Sequence, residues 1–154
     1  MSNINIEIPG LDKLQDALKR APVFTVNEAS RAVQKSALLI QSNAIKEAPV
    51  NKQTGGGNLR QNIRMEMQTK TRAIIVSNAP YSVYVEMGTR PHDIRIKNKR
   101  VLANRRTGQI FGTHVHHPGT RANPYMQRAI DKSKVQINEY FKLAMLNIIK
   151  SLKV

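Results

Sequence analysis

The chain has 154 residues, with 25 Lys plus Arg against 10 Asp plus Glu, a net charge of +15, and no cysteine. One domain of this length buries about two thirds of the surface of its unfolded chain without a disulfide or metal staple. The missing thiols exclude disulfide frameworks, thiolate zinc sites, iron–sulfur clusters and a cysteine nucleophile. No apolar run approaches the roughly 18 residues a membrane span needs, and the first residues, MSNINIEIPG, lack a signal-peptide pattern. The expectation is a soluble chain that starts in a cytoplasm and whose charge seeks polyanions or acidic partners.

Ile4, Ile6 and Ile8 alternate with Asn5 and Glu7, the period of a short strand, which Pro9-Gly10 ends. Leu11, Leu14, Leu18 and Ala21 then predict a helix of about three turns up to Pro22. Thr25 and Glu28 have the spacing of a capping box, and Ala29, Val33, Ala37, Ile40, Ala44 and Ala48 continue a second, longer helix to Pro49. Residues 49–58, PVNKQTGGGN, read as a flexible loop. Residues 63–67 and 73–76 predict a hairpin around Thr69-Lys70-Thr71. Pro80 and Gly88 bracket two helical turns, YSVYVEM.

Residues 95–106, RIKNKRVLANRR, hold six basic side chains and no acid, with Gly108 and Gly112 close behind, and read as a basic hairpin or loop. Residues 109–115 predict a strand, HHPGTRANP an extended connection. Asn123 and Pro124 supply the N-cap and first position of a last helix striped by Met126, Ile130, Ile137, Tyr140, Phe141, Ala144, Ile148 and Leu152. No repeat or second domain appears. The expected fold is α+β over residues 1–154, a small, mostly antiparallel sheet against a long helix of the N-terminal half and a long C-terminal helix, with flexible loops near 49–58 and 95–108.

The charge is uneven. Residues 1–48 carry 6 basic and 5 acidic side chains, residues 49–123 carry 13 and 3, and residues 124–154 carry 6 and 2. The central excess supports phosphate contacts without sequence preference, but neither a recognition helix nor a stacking platform accompanies it. His114, His116 and His117 invite a metal reading, yet no carboxylate adjoins them in sequence to complete an open site, so hydrogen-bonded histidines at a strand end are favoured. No nucleophile elbow, carboxylate pair or phosphate loop can be nominated, which leaves an enzyme, a metal or a cofactor without an anchor.

Two segments are more specific. The first runs Tyr81-Ser82-Val83-Tyr84-Val85-Glu86-Met87-Gly88-Thr89-Arg90, and the second His117-Pro118-Gly119-Thr120-Arg121-Ala122-Asn123-Pro124-Tyr125-Met126. Together with Gly10 to Leu14, Ala48 to Val50, Thr54-Gly55 and Leu59-Arg60, they resemble the head–tail joining and tail-completion family of long-tailed bacteriophages, which includes neck and minor tail proteins. The chain departs from the family at QTGGGN, residues 53–58, which is longer and richer in glycine than the usual Asp-Thr-Gly-x-Leu.

The resemblance implies a structural protein of phage or prophage, not an enzyme, made in the bacterial host cytoplasm and located in the virion neck or tail. It would form a ring with copies of itself, six-fold by family likeness, around the DNA path. Its neighbours would be a head-side connector or stopper and a tail-tube or tail-terminator protein, with no membrane involved. A cyclic ring needs two different complementary patches per subunit. Tyr81, Tyr84, Glu86, Gly88, Thr89 and Arg90 offer one, and Pro118, Gly119, Thr120, Arg121 and Pro124 the other. The alternative use of these segments is to pack on each other within one chain, favoured for Pro118, Gly119 and Pro124. Glu86 is expected to pair with Arg90 or Arg121. Arg95, Lys97, Lys99, Arg100, Arg105 and Arg106 would either dock on acidic proteins or contact DNA in the channel. The competing reading is a non-specific nucleic-acid-binding module.

Overall fold

The computed structural model describes the backbone of residues 11–50, 56–97, 100–104 and 107–152, and the side chains of Asp16, Lys19 and residues from 21 onward within those spans. The strand expected at Ile4, Ile6 and Ile8, the centre of the glycine-rich loop, and Lys99, Arg105 and Arg106 lie outside the described residues.

Helix α1 (Leu11–Glu47) is 37 residues long, about 55 Å at 1.5 Å per residue. Sequence reasoning predicts two helices here, broken at Pro22. Instead Pro22 lies inside one helix, where a proline forfeits one backbone hydrogen bond and strains its turn. The capping box does not form. Glu28, 5% exposed, instead accepts hydrogen bonds from Arg31 at 2.6 Å and from Asn147 at 2.8 Å. With that carboxylate drawn into a helix–helix contact, nothing starts a new helix at Thr25.

Helix α4 (Tyr125–Leu152) packs antiparallel along α1. Three polar pairs fix the register: Glu47 with Arg128 at 2.9 Å, Asn43 with Ser133 at 2.9 Å, and Glu28 with Asn147. The helices approach closely because small side chains meet between them, with Ala32, Ala37 and Ala44 of α1 and Ala129, Ser133 and Ala144 of α4 all buried. By this register Leu152 ends beside residues 23–24, so the first turns of α1 extend past the end of α4.

Among the described residues the strands form three two-stranded antiparallel ribbons. Strands β1 (Ile63–Thr69) and β2 (Arg72–Ser77) make the expected hairpin, with Ile63 opposite Ser77. A short helix, α2 (Asn58–Gln61), leads into it, and helix α3 (Ser82–Met87) follows. Strand β3 (His92–Arg95) pairs with β6 (His114–His117), and β4 (Leu102–Ala103) with β5 (Ile110–Gly112). The single strand expected at 109–115 is therefore two, divided at Thr113. Ala44, Ala48, Leu59, Ile63, Ala79, Tyr125 and Ala129 form the core, with Val85, Ile75 and Met126 packed against it. The α+β arrangement of two long helices against small antiparallel ribbons stands as the sequence predicts.

Candidate functional site

Helix α3 grows from the end of the β1–β2 hairpin. Its first turn closes through the Ser82 amide on Ala79 at 2.9 Å and the Val85 amide on Tyr81 at 3.1 Å, and Gly88 ends it at φ 74°. Val85 turns inward to the core. Four apolar side chains turn outward: Tyr81 is 41% exposed, Val83 59%, Tyr84 61% and Met87 76%. Three large apolar groups of this six-residue helix, together with that of its N-cap Tyr81, thus stand in water.

The two sequence motifs meet behind this helix, within one chain. Thr89 and Thr120 form an antiparallel bridge, with amide-to-carbonyl distances of 2.9 and 3.1 Å, and the Asn123 amide donates to the Val85 carbonyl at 2.9 Å. Gly88 and Gly119, both at positive φ, let the backbones touch. A Cβ on Gly88 would overlap the Thr120 carbonyl oxygen and sit 2.7 Å from the Ala122 nitrogen. One on Gly119 would overlap the Thr89 carbonyl oxygen and sit 3.1 Å from the Pro91 nitrogen. Intramolecular packing is thus what Gly88, Thr89, Gly119 and Thr120 do. Pro118 and Pro124 are exposed at the edges of this clasp.

Glu86 corrects an expectation. Rather than pairing with Arg90 or Arg121, its carboxylate accepts the Met126 amide at 3.0 Å and the Gln127 amide at 3.2 Å. Two of the unsatisfied donors at the N-terminus of α4 are thereby met by a negative charge, which also suits the positive end of the helix dipole. Asn123, expected as the cap, instead accepts from Arg128 at 2.6 Å through its side-chain oxygen. Tyr125, only 1% exposed beneath the clasp, has its hydroxyl pushed above the usual phenol range by burial, with the charges of Glu86 and Tyr81 adding to the effect.

The histidines gather on the β3–β6 ribbon. His116 and His114 reach the same Asp93 oxygen, at 2.8 and 3.4 Å, and the His116 hydrogen bond, with the charge of His114, holds the Asp93 carboxyl below its ordinary range. On the opposite face His92 and His117 stack with centroids 5.0 Å apart. The Gly119 amide donates to His117 Nδ1 at 3.0 Å, which places the His117 proton on Nε2, while His92 Nδ1 faces the Arg90 carbonyl at 2.9 Å. Sequence reasoning found no carboxylate for these histidines because Asp93 arrives from a strand more than twenty residues away. Among the described residues no group of three or more histidines and acids is placed to hold a metal ion.

A groove of about 320 Å³ runs beside α3, lined by Pro49, Tyr81, Tyr84, Val85, Arg121 and Asn123, and adjoins another of about 550 Å³ past Tyr81. Arg90 and Arg121 stand exposed at this end, as do Arg95, Lys97 and Arg100 on and beyond the ribbon. The structure therefore brings Tyr81, Tyr84, Thr120 and Arg121 to one groove, while Gly88, Thr89 and Gly119 serve the clasp behind it and Thr120 belongs to both. Sequence reasoning missed Glu47, whose carboxyl is held below the usual range by Lys132 and Arg128. The i, i+4 spacing of those two bases beside buried Ala129 was the available signal.

The described residues thus combine an α+β fold with an exposed aromatic helix, a basic flank and an open groove. Residues 12–88 match the HK97-gp10-like family model, described as "Bacteriophage HK97-gp10, putative tail-component", and the chain belongs to that family. The matched stretch takes in most of α1, the β1–β2 hairpin and α3, and ends at Gly88, where the clasp begins. Neither a curated protein nor a solved structure matches the chain. Among the described residues no helix is long and apolar enough to cross a membrane.

Proposed function

We propose that this chain is a structural subunit of the virion at the head–tail junction, closing into a ring around the DNA path and completing the tail. The observation that carries the reading is the outward face of α3, with Tyr81, Val83, Tyr84 and Met87 in solvent, on a member of a phage tail-component family. A ring contact is heterologous, so the subunit needs two further surfaces that fit each other, apart from the face at α3. The second stripe of α4, where Phe141, Met145 and Ile149 are exposed at helical spacing, is one such surface at the far end of the molecule.

Arg95, Lys97 and Arg100, together with Lys99, Arg105 and Arg106, serve in this reading to dock on acidic surfaces of the connector and tail-tube proteins. A lumen that gripped phosphates strongly would retard DNA passage, because each neutralised phosphate adds affinity. The test is to replace Arg95, Lys97, Lys99 and Arg100 by neutral residues and assay joining of heads to tails in vitro. Failed joining is expected; normal joining with leakage of DNA overturns docking in favour of a channel role. Negative-stain images of the purified protein and of isolated tails report the ring directly.

A second reading, a non-specific nucleic-acid-binding module, is favoured by one observation, the exposure of Arg95, Lys97 and Arg100 on one basic flank. Salt-sensitive binding of duplex DNA by a monomer that never forms rings would support it.

A further inference from the structure

The groove beside α3 has a chemistry of its own. Its walls combine two exposed tyrosines with Pro49 and Val85, and Arg121 stands at its rim. Tyrosine and arginine beside an apolar depression are the residue types that dominate binding energy at protein contacts.

Charge decides what fits there. Among the described residues, three acids lie at this end of the molecule, and each is engaged internally. Glu47 holds Arg128 and Lys132, Glu86 spends both oxygens on the amides of Met126 and Gln127, and Asp93 is shared by His114 and His116. Arg60 is turned away onto the carbonyls of Ala48 and Lys46. Arg90 and Arg121 have no acidic partner among the described residues, and both are exposed. Both are therefore open to a carboxylate brought by a partner. A second copy is a poor source of free carboxylates, since its own Glu47, Glu86 and Asp93 are engaged in the same way.

We propose that the groove receives a segment of a different protein in which an aromatic or aliphatic side chain is flanked by aspartate or glutamate. The side chain seats against Tyr84, Val85 and Pro49, and the carboxylate meets Arg121. This rests on the structural reading above and specifies the chemistry of the partner that docks at α3.

The probe is a displayed library of random linear peptides selected against the immobilised full-length chain, with the enriched peptides then titrated by fluorescence polarisation. The enriched sequences are expected to join an apolar residue to an adjacent acid. Binding should weaken about tenfold in Arg121→Glu and in Tyr84→Ala, and should weaken at raised salt, as an exposed charge contact does. Arg72→Glu, on the distant hairpin, should bind like the parent, and matched melting curves certify that the variants fold. Neutral apolar peptides winning the selection, or Arg121→Glu binding as tightly as the parent, overturns the proposal. So does light scattering that shows the parent self-associating through this face and Tyr84→Ala monomeric, which would make a second copy the occupant. Failure of the virion reading is registered separately, by the absence of the chain from purified particles, and leaves the peptide result unchanged.

Discussion

Single residues carry the clasp, and two glycines carry most of it. Gly88 and Gly119 sit at φ 74° and 89° with a facing backbone where a Cβ would go. Gly88→Ala and Gly119→Ala are each expected to cost about 2 kcal/mol or more, from the left-handed conformation and the overlap together. A thermal melt should fall by roughly 5 °C for either. Glu86 offers a milder test. Glu86→Ala removes the acceptor for two helix amides and is expected to cost about 1 kcal/mol, whereas Glu86→Gln retains one acceptor and costs less. Hydrogen exchange should quicken at both the Met126 and Gln127 amides in the alanine variant and at only one of the two in the glutamine variant. The motifs that hold these residues are legible in the sequence, and so is the need for glycine in each. Which backbone each glycine faces is not, because the partner segment lies some thirty positions away and no local pattern encodes it.

At the scale of elements, the long helices show how tertiary contacts override local signals. Pro22 and the Thr25–Glu28 spacing are a strong local case for a break, yet α1 runs through both because Glu28 is claimed by Asn147 of α4. Pro22→Ala should therefore raise helical content by circular dichroism and stabilise the fold, since the proline's cost within a helix is relieved without disturbing a described contact. Asn147→Leu should act in the opposite sense, costing about 1–3 kcal/mol by denaturant melt, because the buried Glu28 carboxylate loses a donor. The hairpin at Thr69-Lys70-Thr71 and the Gly88 end of α3 needed no such correction, although α3 starts at Ser82 and leaves Pro80 in the turn before it. Their signals, alternation in a short run and a Pro–Gly bracket, depend on neighbours in the chain. The β3–β6 ribbon was only partly legible: the strand expected at 109–115 reaches His114 and Val115 of β6, His116 and His117 were expected in the connection, and the pairing with His92–Arg95 depends on a register that four-residue strands do not specify.

For the whole molecule, charge governs both partners and acid stability. Glu28 is held below the usual carboxylate range chiefly by the Asn147 hydrogen bond, and Glu47 chiefly by Lys132 and Arg128. A lowered folded value means that both stabilise the fold above the ordinary value of 4.5 and lose that contribution as pH falls through the lowered values. The melting temperature should accordingly drop in the acid range below pH 4.5, and the double variant Glu28→Gln, Glu47→Gln should show a shallower drop from a lower plateau. The overall charge excess was legible from composition, but its direction was not, since only the structure shows that Glu47, Glu86 and Asp93 are occupied internally. The register of α1 against α4 also bears on synthesis. Glu28 waits for Asn147, and Glu47 for Arg128, each pair separated by most of the chain. Helix α1 leaves the ribosome before α4, so the face of α1 that α4 covers stays open until α4 has emerged, and the pairing of the two long helices is a late event in the synthesis of this stretch.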